Sequence, residues 1–352
     1  MKALDLAALV ALVENGDPVR DANVDGIDFR ASNISGAVYE KVSFRKCALS
    51  RVAMKDCTVV NCDFSESDLS GVDFVESVFL DCVFDDASFV GANLNSVPIR
   101  GGSARRCDFS QADLRDAVFN VCDLSQSKLG QAQLEAAAFI ECETGGVDLA
   151  GAVLFRTVMM DVDLTQSKLA GLRCEETVLS KAKLAGADLS GLELIRSQFM
   201  EADLTGANLS GARLAQSGFK GAKLIGARLD GAQAPNALFI EADLSQASFL
   251  GANLHQALFV DAVAVGTLFT NAKLVQAIFH RARCASARFD GADLEYTDFS
   301  YADMSHCVFS GNHWLRTKFH STKREDTSLP AAQSILFDDE ELAAAERWPT
   351  AT

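Results

Sequence analysis

The sequence has no uninterrupted apolar run near the 20 or so residues needed to cross a bilayer. It has no Cys-X-X-Cys pair, so the common spacing of zinc and dithiol sites is missing. It has no Gly-rich segment of the kind that cradles phosphates. Positive charge is in deficit. Thirty-two Lys and Arg face 48 Asp and Glu, for a formal net charge of −16 and a pI near 4.7. An acidic surface disfavours nonspecific contact with nucleic acid phosphates and favours basic partners.

What the sequence has in abundance is a five-residue unit. Residues 202 to 229 read Ala-Asp-Leu-Thr-Gly, Ala-Asn-Leu-Ser-Gly, Ala-Arg-Leu-Ala-Gln, Ser-Gly-Phe-Lys-Gly, Ala-Lys-Leu-Ile-Gly, Ala-Arg-Leu. A small residue is followed by a polar one, then a large apolar one, then two more. On an α-helix of 3.6 residues per turn this period rotates successive leucines by about 140°, so they form no stripe. On a flat strand an odd period sends them to opposite faces. Alanine and leucine favour helix by propensity, but the period overrules it. The remaining solution bends the backbone at every unit so that each central residue points to a common axis. Four units then close one coil, and coils stack at about 4.8 Å.

From Val24 the central position falls at every number ending in 4 or 9, without slip, through Phe309, Trp314 and Phe319. That predicts some fifteen coils and a rod of roughly 70 Å. A twenty-residue super-period lies on top of the five. Phe79, Phe119, Phe139, Phe199, Phe219, Phe239, Phe259, Phe279, Phe299 and Phe319 share one column, where their rings should stack offset as core. Weak units at 98–104, 144–146, 234–235 and Ala264 keep the count of five and predict local loosening without extruded loops.

This tandem Ala-(Asp/Asn)-Leu-X-X pattern resembles the pentapeptide-repeat proteins, over almost the whole chain. The resemblance implies a right-handed quadrilateral β-helix, an all-β solenoid. The expected organisation is an N-terminal capping helix over residues 1–20, the β-helix over 21–322, and a linker with a C-terminal helix over 323–352. Residues 3–14 are apolar nearly all round and are read as a helix that plugs the open end of the first coil, in preference to a signal peptide. Gly16, Asp17 and Pro18 stop it. A last helix is expected at 338–348, with Asp338 as cap and Glu341 in capping-box spacing.

Eight of the ten cysteines fall at the small position and two, Cys174 and Cys284, at the central one, so all should point inward as small hydrophobes. Cys62 and Cys82 lie one coil apart in one column, as do Cys122 and Cys142. That spacing is within disulfide reach, yet free thiols in a reducing compartment are the expectation. The histidines, His255, His280, His306, His313 and His320, fall outside the two inner positions and read as surface groups. A filled solenoid with flat sides offers no water-excluding pocket. No catalytic, cofactor or metal residues are assigned, and the chain is read as a non-enzyme.

Surface charge remains. Asp56, Asp63, Glu66, Asp68, Asp73, Glu76, Asp81, Asp85 and Asp86 form a run without a basic residue, and the different columns they occupy predict an acidic belt. From Arg196 to Asp230 the balance reverses, with Arg196, Arg213, Lys220, Lys223 and Arg228. The belt, with Phe337, Leu342 and Trp348 of the tail, is the candidate partner-binding surface.

The resemblance offers two roles. One is a protein-binding scaffold or adaptor, including proteins associated with bacterial secretion machinery such as type VI systems. The alternative is mimicry of B-form DNA toward a type II topoisomerase such as DNA gyrase. Magnitude favours the first. DNA carries one charge per about 1.7 Å, whereas −16 over roughly 70 Å is about one per 4 to 5 Å. The reading is therefore a bacterial, cytoplasmic scaffold, with secretion left open, that binds a protein partner. It uses no cofactor, does not bind nucleic acid directly and does not span a membrane. The C-terminal helix is a candidate homodimer contact.

Overall fold

The computed structural model describes residues 1–330 and 334–346. The chain forms two compact units, Met1–Lys183 and Leu184–Thr352. Each is a parallel β-solenoid whose backbone pairs with itself at a step of twenty residues. Val59 lies on Phe79 and Phe119 on Phe139 in the first unit, Asp203 on Lys223 and Asp243 on Val263 in the second. The units together contain about 17 turns, slightly more than the register of central residues predicts.

The ladder extends past that register at both ends. Strand β1 (Lys2–Ala3) pairs with β3 (Ala22–Asn23), so the stretch read as helix from Ala3 begins as strand. The amides of Lys2 and Leu4 donate to the carbonyls of Asp21 and Asn23, which otherwise would form an open edge. Helix α1 (Leu6–Glu14) follows, and Asp5 is its N-cap, accepting from the Ala8 amide at 2.8 Å. Of the α1 residues only Leu9 is fully buried.

Six three-residue strands, β4 (Val38–Glu40), β5 (Thr58–Val60), β6 (Val78–Leu80), β7 (Pro98–Arg100), β8 (Val118–Asn120) and β9 (Ala138–Ile140), stack in order on β2 (Val19–Arg20). Strands β10 (Val153–Phe155), β11 (Val158–Met160) and β12 (Arg173–Glu175) complete the unit; β11 is the eighth strand of the sheet and β10 pairs with β12. The one side with continuous strands is the one rich in Val, Ile, Thr and Phe, which suit a pleated surface. Apart from the β1–β3 and β10–β12 pairs, the other sides touch their neighbours through single bridges such as Asp63↔Val83.

Between bridges the corners are tight turns. Ala207 N–H donates to Leu204 carbonyl at 3.0 Å, and Gly206 between them has φ +66°, the geometry of a type II turn. Every left-handed residue within the repeat falls at a number ending in 1 or 6, with Gly102 the single departure from that rule. Gly102 follows another left-handed glycine, Gly101, and a Cβ on it would lie 1.9 Å from the Cys82 carbonyl oxygen.

Every central residue from Val24 to Met304 is buried. The expected ring columns are present. Phe199, Phe219, Phe239, Phe259, Phe279, Phe299 and Phe319 stack at 4.4–5.1 Å with interplanar angles of 4–26°. A second column, Phe249, Phe269, Phe289 and Phe309, meets the first edge-on, as in the 86° contact of Phe239 with Phe249. All ten cysteines are buried and reduced.

In the second unit, β13 (Thr317–Lys318) pairs with β14 (Ile335–Leu336), so the chain returns for one more strand after the polar stretch at 320–330. Helix α2 (Glu340–Glu346) closes the described chain. Its cap is Asp339, which accepts from the Glu341 amide at 3.1 Å. Asp338, expected in that role, instead accepts from the Ser321 amide at 2.8 Å.

Candidate interaction surface

Each three-residue strand of the first unit turns its middle side chain inward and its two outer ones to solvent. Read turn by turn, the outward positions form two columns. One runs Val38, Thr58, Val78, Pro98, Val118, Ala138, Val158; the other runs Glu40, Val60, Leu80, Arg100, Asn120, Ile140, Met160. The outer face of the eight-stranded sheet is therefore largely aliphatic, interrupted by Arg20, Glu40, Thr58, Arg100 and Asn120, on a protein of strongly acidic composition. Val38 and Met160 are 42% and 43% exposed, and Val60, Val78, Leu80, Val118 and Ile140 are half-buried among their neighbours. A clustering of apolar side chains of this kind marks contact sites more often than scattered exposed side chains do. Sequence reading missed it because the five-residue frame directs attention to the inward residue; reading positions 38 and 40, 58 and 60, 78 and 80 at a period of twenty would have found it.

The nine acidic residues do not form an uncompensated belt. Asp63 lies 3.7 Å from Arg45, Glu66 3.5 Å from Lys46, Asp73 2.7 Å from Lys55 and Asp86 2.6 Å from Arg106. Asp85, 12% exposed at the side chain, takes both Nε and Nη2 of Arg105 and the Ser103 hydroxyl. Burial pushes the Asp85 carboxyl up, but these donors outweigh it and hold it below the ordinary range. Asp68 accepts from the Ser70 amide at 3.0 Å, and Asp56, Glu76 and Asp81 occupy left-handed corners. The run without basic residues in sequence is thus bordered in space by cations of the preceding and following turns. Stacking at 18 or 20 residues creates pairs that linear spacing hides.

The basic stretch also finds partners, one turn away or two residues along the chain. Arg213 pairs with Glu193, Lys220 lies 3.6 Å from Glu241, and Arg228 3.8 Å from Asp230. Aspartates at the polar position also close local turns, as Asp203 does for the Thr205 amide at 3.0 Å.

The tail residues separate. Phe337 is 43% exposed, with the Arg324 guanidinium 4.9 Å from its ring centroid. Leu342 belongs to α2, and Trp348 lies outside the described residues. The helix is bound to its own unit: Glu346 accepts from the Tyr301 hydroxyl and lies 3.4 Å from His320 Nε2, while His320 Nδ1 accepts from the Asp339 amide at 3.1 Å. His320 is consequently 4% exposed, which corrects its reading as a surface group. The outward position of a repeat is buried wherever a later segment folds over it. A cleft of about 290 Å³ beside it is bordered by His280, Asp298, Tyr301 and Phe337.

Two other features have structural explanations. Asp293, Glu295 and His313 place possible ligand atoms within 4.8 Å of one another, but His313 is exposed and its Nδ1 already meets Asp293 Oδ1 at 3.1 Å. An open groove of about 750 Å³ runs over Ser50, Ser70, Gly71 and Gly91 because these corners carry little or no side chain. Among the described residues no helix is long and apolar enough to cross a membrane.

The parallel stacking, the inward residue once per five and the left-handed corners define a repeat protein of the β-solenoid class. The sequence profile of the pentapeptide repeat region matches residues 52–124, and the profile of pentapeptide repeats in eight copies matches 157–191, 197–233, 237–276 and 272–311. The chain belongs to the pentapeptide-repeat family. Among solved structures it is similar to HetL, a pentapeptide repeat protein involved in heterocyst differentiation regulation from the cyanobacterium Nostoc sp. strain PCC 7120, at 20% identity over 75% of this chain and 96% of that one, with a TM-score of 0.22. It is similar to full-length QnrB1, a plasmid-mediated fluoroquinolone resistance protein, at 19% identity over 59% of this chain and all of the other (100%), TM-score 0.29. The A-module of the mannuronan C-5 epimerase AlgE4 from Azotobacter vinelandii aligns at 10% identity over 95% of each chain, TM-score 0.23. No curated protein matches the sequence.

Proposed function

We propose that the protein is a non-enzymatic scaffold that binds another protein surface through the outer face of its eight-stranded sheet. The observation that carries this reading is the aliphatic strip of Val60, Val78, Leu80 and Val118 on rigid, hydrogen-bonded strands. Sheet faces of this kind pack on other flat apolar surfaces at about 10 Å. The pairing of Asp63, Glu66, Asp73, Asp85 and Asp86 with cations weakens the case for mimicry of a uniformly charged polyanion. The adaptor reading, including a place in bacterial secretion machinery, therefore outweighs action on DNA gyrase. Membership of the pentapeptide-repeat family is compatible with either.

The test is capture by full-length protein and by a Val60→Lys, Leu80→Lys variant that melts at the same temperature. A partner retained by the first and lost by the second supports the reading. A partner held equally by both places the contact elsewhere. Inhibition of gyrase supercoiling by micromolar protein, equal for both forms, restores the mimicry alternative.

A further inference from the structure

The same outer face carries three charges, Arg20, Glu40 and Arg100. Glu40 stands near one end of its column and Arg100 interrupts the aliphatic run further along. Glu40 already holds Arg20 at 3.0 Å and Lys41 at 3.8 Å. Arg100 is exposed, and among the described residues its side chain has no ion-pair or hydrogen-bond partner. An unpaired guanidinium between Leu80 and Asn120 of the adjacent strands calls for a carboxylate from outside.

We infer that this face pairs with the same face of a second copy of the chain, about a two-fold axis lying along the strands midway between β5 and β6. Such an axis reverses the stacking order and keeps each column over itself. Val60 then meets Leu80 of the second copy, Thr58 meets Val78, Val38 meets Pro98, and Glu40 meets Arg100, each contact occurring twice. An isologous interface requires this self-complementarity. The charges select the register. An axis through β7 sets Arg100 on Arg100, and one through β5 sets Arg20 on Arg100. An axis through β6 buries Arg100 on Val60, and one between β6 and β7 buries it on Leu80. Only the axis between β5 and β6 brings opposite charges together and leaves the aliphatic residues on one another.

The overlap spans six strands at about 4.8 Å spacing and roughly 15 Å of width, or about 400 Å² per copy. That is below the standard size of stable interfaces, so the dimer is weak, with dissociation in the micromolar range or above. The inference rests on the reading of this face as a contact surface and adds the partner.

Sedimentation velocity of the full-length chain from 5 to 300 μM tests it. The expected result is a rise from a 37.7 kDa monomer toward a dimer. Glu40→Arg and Arg100→Glu should each weaken association at least tenfold, and the double reversal should restore it to within about threefold. Arg100→Glu should melt with the parent, since its side chain is exposed and unpaired; Glu40→Arg also gives up the Arg20 contact, so association of every variant is measured well below its own melting temperature. A monomer throughout the range overturns the inference, as does association that neither reversal weakens or that the double variant fails to rescue. Monomeric protein that still loses a foreign partner on Val60→Lys, Leu80→Lys would end self-pairing while leaving the scaffold reading intact.

Discussion

The thiol of Cys107 lies 2.9 Å from the carbonyl oxygen of Phe84, 23 residues earlier and one turn away. The relationship recurs at the small position. Ser77 donates to Met54 at 2.5 Å, Thr157 to Leu134 at 2.6 Å, Ser217 to Leu194 at 2.6 Å and Thr267 to Leu244 at 2.8 Å. Alanine leaves that carbonyl with its turn bond alone; Cys, Ser and Thr add a second donor from a side chain that still fits. This accounts for polar residues on the inside of a solenoid, where an unpaired hydroxyl would cost about 1–3 kcal/mol.

Cys107→Ser should therefore keep stability within about 1 kcal/mol, since the hydroxyl reproduces the donor. Cys107→Val removes the donor and adds bulk at a fully buried site, so it should cost about 1–3 kcal/mol. Thermal or urea melts of both variants check this. Burial raises the Cys62 thiol to about 11 and the Cys82 thiol to about 12, so neither should react with iodoacetamide near neutral pH until the fold is opened.

Gly102→Ala should be far more damaging than Gly91→Ala. Both positions have positive φ, +82° and +64°, but a Cβ at 91 meets nothing within 4 Å, whereas one at 102 meets backbone at 1.9 Å. The first change carries only left-handed strain, about 1–2 kcal/mol. The second must also move the Cys82 peptide, and a loss of about 3 kcal/mol or more is expected. Equal melting temperatures would contradict this.

Stability should fall in acid. Arg115 hydrogen-bonds Asp113 and Lys168 hydrogen-bonds Asp148, and each pairing holds the carboxyl below its ordinary range. Burial raises Asp298 and Asp108, but hydrogen bonds from Ser300 at Asp298, and from Ser110 and Lys128 at Asp108, outweigh it. A carboxyl with a depressed folded value contributes stability above its unfolded value, near 4, and loses it as pH falls through the folded value. Melting temperature should be level from about pH 5 to 7 and drop progressively below about pH 4. Because most of these pairs are exposed, each contributes little and the loss should be gradual.

Tyr301→Phe should loosen the tail without unfolding the unit. Its hydroxyl bonds Glu346 on a helix of 7 residues, too short to persist alone. Hydrogen exchange at 340–346 should quicken severalfold, while the melting temperature moves by no more than a degree or two. Unchanged exchange would show that His320 and Asp339 suffice to hold the helix.

The five-residue period left little doubt about the solenoid, because no helix or flat strand can bury Leu204, Leu209 and Leu214 together. The ring columns followed from the same count. Neighbours one turn apart were less legible. The pairing of Asp85 with Arg105 and the aliphatic run from Val60 to Val118 both depend on a step of twenty that the eye does not follow along a chain. The tail was harder still. Asp338 and Asp339 are equally good caps, and the choice between them was made by Ser321, whose amide engages Asp338 from another part of the chain. Burial of His320 depends on where α2 lands, which local sequence does not determine.

The most direct test of the contact surface is site-specific photo-crosslinking in cells, with the photoreactive residue at Val78 on the sheet face and, in a parallel strain, at Asp56 on a charged corner. The account predicts a discrete adduct of defined mass from position 78 and none from position 56. Adducts from position 56 alone would contradict it and return the acidic corners to the role of binding surface.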